Sequence, residues 1–166
     1  TAHLGDCPDY ATFTDYVRQN IVRQADEIEE KVKNIYLFPA PFISLMMEGC
    51  VEKAQDISLG CKYNNYGLHG TGVATAADSL EVIDRYVFTE KILDAKRLVD
   101  ALNNNFEGED ELLTKLRFLT PKMGNNEDCV DQRAVWLLDT FADALAGRIN
   151  ERGGIFRPGT GSAMYY

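Results

Sequence analysis

The chain has 166 residues, the size of one ordinary domain, with 45% hydrophobic and 26% charged residues. That mixture excludes a disordered tail, a collagen-like fibre and a disulfide mini-protein. The formal net charge of −9 repels a phosphate backbone and an anionic lipid surface, so nucleic acid and membrane are not expected partners.

The N-terminal residues carry neither a basic stretch nor an apolar core of the secretory kind. Phe13, Val17, Ile21, Ala25, Ile28, Val32 and Ile35 recur every three or four residues and predict a helix from about Thr12 to Tyr36. Thr12 is its expected N-cap. Its other face, with Asp26, Glu27, Glu29, Glu30 and Lys33, reads as solvated surface. Pro39 ends the pattern. Pro41 then opens an apolar segment, Phe42 to Lys53, expected to be one buried helix.

Ser58 to Gly72 is rich in glycine and has no helical period, so it reads as a strand or extended loop. Helical pattern returns at Ala74 to Phe88 and at Asp94 to Asn104, with Asp94 as cap. A short helix follows from Asp110 through Leu116. A long one is predicted from Glu127 to Asn150, stopped by Gly153-Gly154. Ile155 to Tyr166 reads as extended chain interrupted by Pro158-Gly159-Thr160-Gly161. The chain is thus mainly α with short extended segments. The two extended pieces are expected to need strand partners that this chain does not contain. The closing run Ala163-Met164-Tyr165-Tyr166 looks like the middle of a strand, and the chain starts without Met. Both suggest a piece of something longer.

The usual catalytic motifs are incomplete. Gly70-Thr71-Gly72 opens a dinucleotide-type loop, but Thr75 stands at its third glycine position. No Gly-Lys-Ser/Thr is present, and Ser162 lacks the glycine that a nucleophile elbow needs. The four cysteines and two histidines lack the spacing of a zinc site, so reduced thiols in a cytoplasmic protein are expected and no metal ligand is assigned. Cys50, in an apolar segment between glutamates, reads as an inert core thiol. The best local candidate for a pocket wall is residues 62–72, where glycines allow close approach and Tyr63, Asn64 and His69 supply polar contacts beside Leu68 and Gly70.

A series of short motifs carries a resemblance. Pro39-Ala40-Pro41-Phe42-Ile43-Ser44-Leu45, Glu48-Gly49-Cys50-Val51-Glu52-Lys53, Lys62-Tyr63-Asn64-Asn65 and Ala77-Asp78-Ser79-Leu80 come first. Asn104-Asn105-Phe106-Glu107-Gly108, Pro121-Lys122-Met123-Gly124-Asn125 and Phe156-Arg157-Pro158-Gly159-Thr160-Gly161-Ser162 follow. In this order, over nearly the whole chain, they resemble the glycyl radical enzymes, in the pyruvate formate-lyase-like branch that holds the dehydratases.

The resemblance implies that the chain is one segment of an α/β ten-stranded barrel, in which a cysteine loop and a glycine loop meet. It implies a stored glycyl radical, installed by an activase that uses S-adenosylmethionine and an iron–sulfur cluster. It implies radical cleavage of a C–O, C–X or C–C bond in a small polar substrate, as in a diol dehydratase or a formate acetyltransferase. Partners would be the rest of the parent polypeptide, the activase and that substrate, and the parent is expected as a homodimer. The sequence departs from the pattern at two points. The Arg-Val-Ser/Ala-Gly-Tyr radical motif is absent, and in Gly49-Cys50-Val51-Glu52 the expected proline is Lys53. The neighbouring landmarks match the family's second Gly-Cys element rather than its thiyl site. No residue here is therefore assigned a catalytic role, and the chain alone is expected to be inactive. What carries over is a wall of the substrate pocket at Tyr63, Asn64, Leu68, His69 and Gly70. The other reading is a free-standing helical binding module without radical chemistry.

Overall fold

The structure, a computed structural model, describes residues 3–161. The C-terminal run from Ala163 to Tyr166 and Ser162 lie outside the described residues. After a 3-10 turn at Leu4–Asp6, helix α1 spans Tyr10–Val32. Its cap is Asp9 rather than Thr12: the Asp9 carboxylate accepts a 2.7 Å bond from the Thr12 N–H. Phe13 and Ala25 of the predicted stripe are buried.

The next segment departs most from expectation. Residues 41–60 form three short helices, α2 (Pro41–Ser44), α3 (Cys50–Lys53) and α4 (Ile57–Gly60): the single helix expected from Phe42 to Lys53 is broken in two, and α4 falls at the start of the stretch expected to be extended. Gly49 precedes α3 with φ +93°, which interrupts any continuous helix. A one-turn helix has too little surface to bury an apolar face, so Phe42 stays 83% exposed and Met46 77%. What holds this excursion is polar. Asp56 Oδ2 accepts from the Ala40 N–H at 2.8 Å and from Ser44 Oγ at 2.9 Å, and Oδ1 accepts from the Ser58 N–H at 3.1 Å. Ser44, itself buried, accepts from the Ile57 N–H at 2.8 Å.

Acid should release this clamp. The backbone donors at Ser58 and Ala40 hold the Asp56 carboxyl below its ordinary 3.8. A depressed folded-state pKa gives stability that is complete above the unfolded value and lost as pH falls through the folded one. Hydrogen-exchange protection of the Ala40 and Ser58 amides should fall over that acid window. In Asp56→Asn the loss over this window should be flattened, and an unchanged acid profile would refute the clamp.

Strand β1 (Tyr66–Gly70) leads into α5 (Val73–Val82), which continues as a π-helical segment, Ile83–Thr89. Helix α6 (Ala95–Asn103) is capped as expected, with Asp94 accepting from the N–H groups of Lys96 and Arg97. Helix α7 covers Asp110–Phe118. Helix α8, Asp128–Leu145, ends five residues before the predicted Asn150. Ala146 turns extended and Gly147 takes φ +73°, so the stop is the earlier glycine, not Gly153-Gly154. Beyond it Arg148 reaches back to α1, pairing with Asp26 at 2.7 Å and Glu29 at 2.8 Å. That part of the α1 face expected to be plain solvated surface is thus an anchor.

Strand β2 (Phe156–Thr160) runs parallel to β1, with Tyr66 opposite Phe156 and Gly70 opposite Thr160. The strand continues through Pro158 and Gly159, which were expected to interrupt it. The two extended pieces are therefore each other's partner, which corrects the expectation that this chain holds none. A parallel pair needs a long crossover, and α5 to α8 provide it. Helix α8 packs against α5, α1 and β2. One core cluster gathers Leu4, Phe13, Leu80, Ile83, Tyr86 and Leu98; a second joins Ala25, Leu145 and Phe156 beneath the sheet. Arg133 of α8 ties these layers together, lying between Glu81 and Asp84 and over the Tyr10 ring at 4.7 Å.

Candidate functional site

The two strands present two unlike faces. Tyr66, Leu68 and Phe156 face the helices, where Tyr66 and Phe156 meet edge to face at 5.8 Å. The alternate positions, Gly67, His69, Arg157 and Gly159, form the other face. His69 is exposed there. Its ring rests on glycine: a Cβ built on Gly159 would lie 3.5 Å from the imidazole Cδ2, and one on Gly67 would lie 3.6 Å from Nε2.

At the end of β1 the chain meets a cleft of ≈ 400 Å³ between strand and helices. Leu68, His69 and Gly70 line it together with Gln24 and Ile28 of α1 and Phe141 of α8. The floor is mostly apolar and the polar groups few, the composition of a small-molecule pocket wall. Leu68, His69 and Gly70 of the five residues expected from sequence border it, but the His69 imidazole stands on the opposite face of β1.

Tyr63 and Asn64 are elsewhere. Tyr63 is exposed, with Lys62 Nζ over its ring at 5.6 Å. Asn64 spends its amide on the fold, donating to the carbonyls of Cys61 at 3.2 Å and Leu59 at 3.3 Å. Asn65 accepts at 3.0 Å from the Ile155 N–H, just before β2. The polar run that reads as ligand contacts is wiring that sets the strand register.

The residue on the other side of that wiring was read from sequence only as the end of a helix. Asn150 is buried, and its Nδ2 donates to the Asn64 carbonyl at 2.7 Å. Its Oδ1 accepts from the N–H groups of Arg152 at 2.9 Å and Gly154 at 3.0 Å. The bond to Arg152, two residues on, is the local turn that asparagine favours, so a signal was present.

The motif residues also meet in space. Asp78 on α5 accepts from the Met123 N–H at 2.8 Å, joining the Ala77-to-Leu80 and Pro121-to-Asn125 motifs. Motifs distant in sequence thus act as one scaffold, and residues 8–165 match the pyruvate formate lyase-like family as a unit. The chain belongs to that family. It is 34% identical over 120 residues to a trans-4-hydroxy-L-proline dehydratase of Clostridioides difficile, covering 72% of this chain and 15% of that enzyme. It is 31% identical over 125 residues to a (2S)-3-sulfopropanediol dehydratase of Klebsiella oxytoca, covering 74% of this chain and 15% of the relative. The glycerol-bound glycerol dehydratase of Clostridium butyricum superposes with a TM-score of 0.79 at 27% identity, over 93% of this chain and 20% of that one.

The chain therefore spans about a fifth or less of the length of the relatives it matches. Those relatives are glycyl radical enzyme barrels, and this mainly helical unit with its parallel strand pair is part of that architecture. Among the described residues no helix is long and apolar enough to cross a membrane.

Proposed function

We propose that this chain is a segment of a larger glycyl radical enzyme that eliminates a hydroxyl or similar group from a small polar substrate. We also propose that Leu68, His69 and Gly70 are its contribution to the substrate pocket. The reading rests on one observation. The Gly67–His69–Gly159 face presents an exposed imidazole over glycine, on the side of β1 turned away from the helices, in a chain whose relatives are named as dehydratases. A stored glycyl radical, installed by an activase, would supply hydrogen abstraction from the substrate. This sequence carries neither the radical-glycine motif nor the thiyl loop, so its residues bind and orient rather than react.

The role open to His69 is to hydrogen-bond a substrate hydroxyl or acid group, through either ring nitrogen. Leu68, packed on the helices, and Gly70, at the strand end, would fix the strand that carries it. Tyr63, exposed away from the cleft, and Asn64, committed to the backbone, would act on the pocket only through the fold.

In the full enzyme, His69→Ala is expected to raise KM about tenfold, equivalent to about 1.4 kcal/mol of lost binding. The wild-type chain of 166 residues, incubated with glycerol, hydroxyproline or sulfopropanediol, should give no product. Turnover by the chain alone would refute the segment reading. Unchanged kinetics in His69→Ala would remove β1 from the pocket while leaving that reading standing.

A further inference from the structure

The excursion between α1 and β1 holds two buried thiols that the site described above does not use. Cys50 and Cys61 lie with their Sγ atoms 3.9 Å apart, eleven residues apart in sequence. Both are buried, at 2% and 8% exposure. We propose that they are a dithiol pair that closes to an intrachain disulfide on reaction with a small-molecule disulfide, locking residues 48–62.

The segment between them is already closed on itself. The Lys62 N–H donates to the Glu48 carbonyl at 3.1 Å, and Lys62 Nζ pairs with Glu48 Oε1 at 3.1 Å. Gly60 lies directly on Cys50: a Cβ there would be 3.0 Å from both the Cys50 Cα and its Sγ, and 2.7 Å from the Gln55 carbonyl. Lys53 Nζ donates to the Cys61 carbonyl at 3.3 Å. These contacts hold the two sulfurs facing each other while reduced. A disulfide needs about 2.05 Å between sulfurs, so closure takes about 1 Å from each. Cys50 also lines a cleft of ≈ 480 Å³ with Pro41, Leu45, Val51 and Gln55, which gives a reagent a way in.

The reaction balances. The Cys50 thiolate, its proton lost to solvent, attacks one sulfur of the reagent and expels one equivalent of small thiol. The Cys61 thiolate then attacks the mixed disulfide at Cys50 Sγ and expels the second. Two protein S–H bonds are lost, one S–S bond forms, and the reagent is reduced to two thiols. Burial pushes the Cys50 thiol up, and its neighbour Cys61 pushes it further, so the first attack is slow until the segment opens.

The test uses the whole folded chain treated with excess oxidised glutathione at mildly alkaline pH, then denatured, alkylated and mapped by mass spectrometry. The expected result is loss of both alkylatable thiols at Cys50 and Cys61, with one cross-linked peptide lighter by two hydrogens. The thermal midpoint should rise relative to the reduced chain. A glutathione adduct on either cysteine without the cross-link overturns the proposal. So does full alkylation of both after treatment under conditions that oxidise the exposed Cys129. In Cys61→Ser, Cys50 should stop at the glutathione adduct; a cross-link from Cys50 to Cys7 or Cys129 instead would show the pairing is not built in.

Discussion

Gly154→Ala is expected to lower stability by about 3 kcal/mol or more, a large effect for one methyl group. A Cβ at this position would sit 2.0 Å from the Asn64 carbonyl oxygen, 2.3 Å from its carbon and 2.8 Å from the Asn65 nitrogen. All three atoms are backbone, so no rotamer relieves the clash. The strand lead-ins must separate instead, at the expense of the Ile155–Asn65 and Tyr66–Ile155 bonds, each 3.0 Å. Gly153→Ala is the control. Gly153 has φ +75° but open space around it, so alanine there costs about 1 kcal/mol of left-handed strain. Urea unfolding of the folded chain should show a much lower midpoint for Gly154→Ala, with the slope unchanged. Equal losses in the two variants would mean that the crossing is not tight.

The same crossing explains what could be read from sequence. Helix α6 was legible because its cap, Asp94, and the periodic, buried Leu98 are local. The body of α8 was legible for the same reason. Its end was misplaced because Gly147 and Gly153-Gly154 are both plausible stops, and the pull of Arg148 toward Asp26 and Glu29 is tertiary. Residues 42–53 were misread because apolar content alone implies burial, whereas Asp56 and Ser44 determine the shape. The extended run through Leu68, His69 and Gly70 was legible through glycine and the change of period. Asn64 was not, because its partner Asn150 is eighty-six residues away.

That geometry also bears on function. The exposed face of β1 can present His69 only if the strand is held against β2, and the pairing of Tyr66 with Phe156 leaves one edge of each strand without a partner among the described residues. Two five-residue strands are marginal by themselves. The position of His69 therefore depends on the polar bracket at the base of the strands, more than on the ladder itself.

Asn150→Ala should expose that dependence. The substitution removes one donor and one acceptor atom, leaving the Asn64 carbonyl and the N–H groups of Arg152 and Gly154 without their partners. Each buried group left unpaired costs about 1–3 kcal/mol, but Arg152 is only partly buried and can find water. The expected net loss is about 3 kcal/mol. Hydrogen exchange locates it: amide protection should drop at Gly154 and Tyr66, at the feet of both strands, while α6 stays protected. Asn64→Ala is the discriminating comparison. Asn150 binds the main-chain oxygen of residue 64, which alanine keeps, and the Asn64 side chain makes only longer bonds of 3.2 to 3.5 Å. Asn64→Ala should therefore cost about 1 kcal/mol. If it cost as much as Asn150→Ala, the side chain of Asn64 rather than the Asn150 bracket would be holding the strands in register.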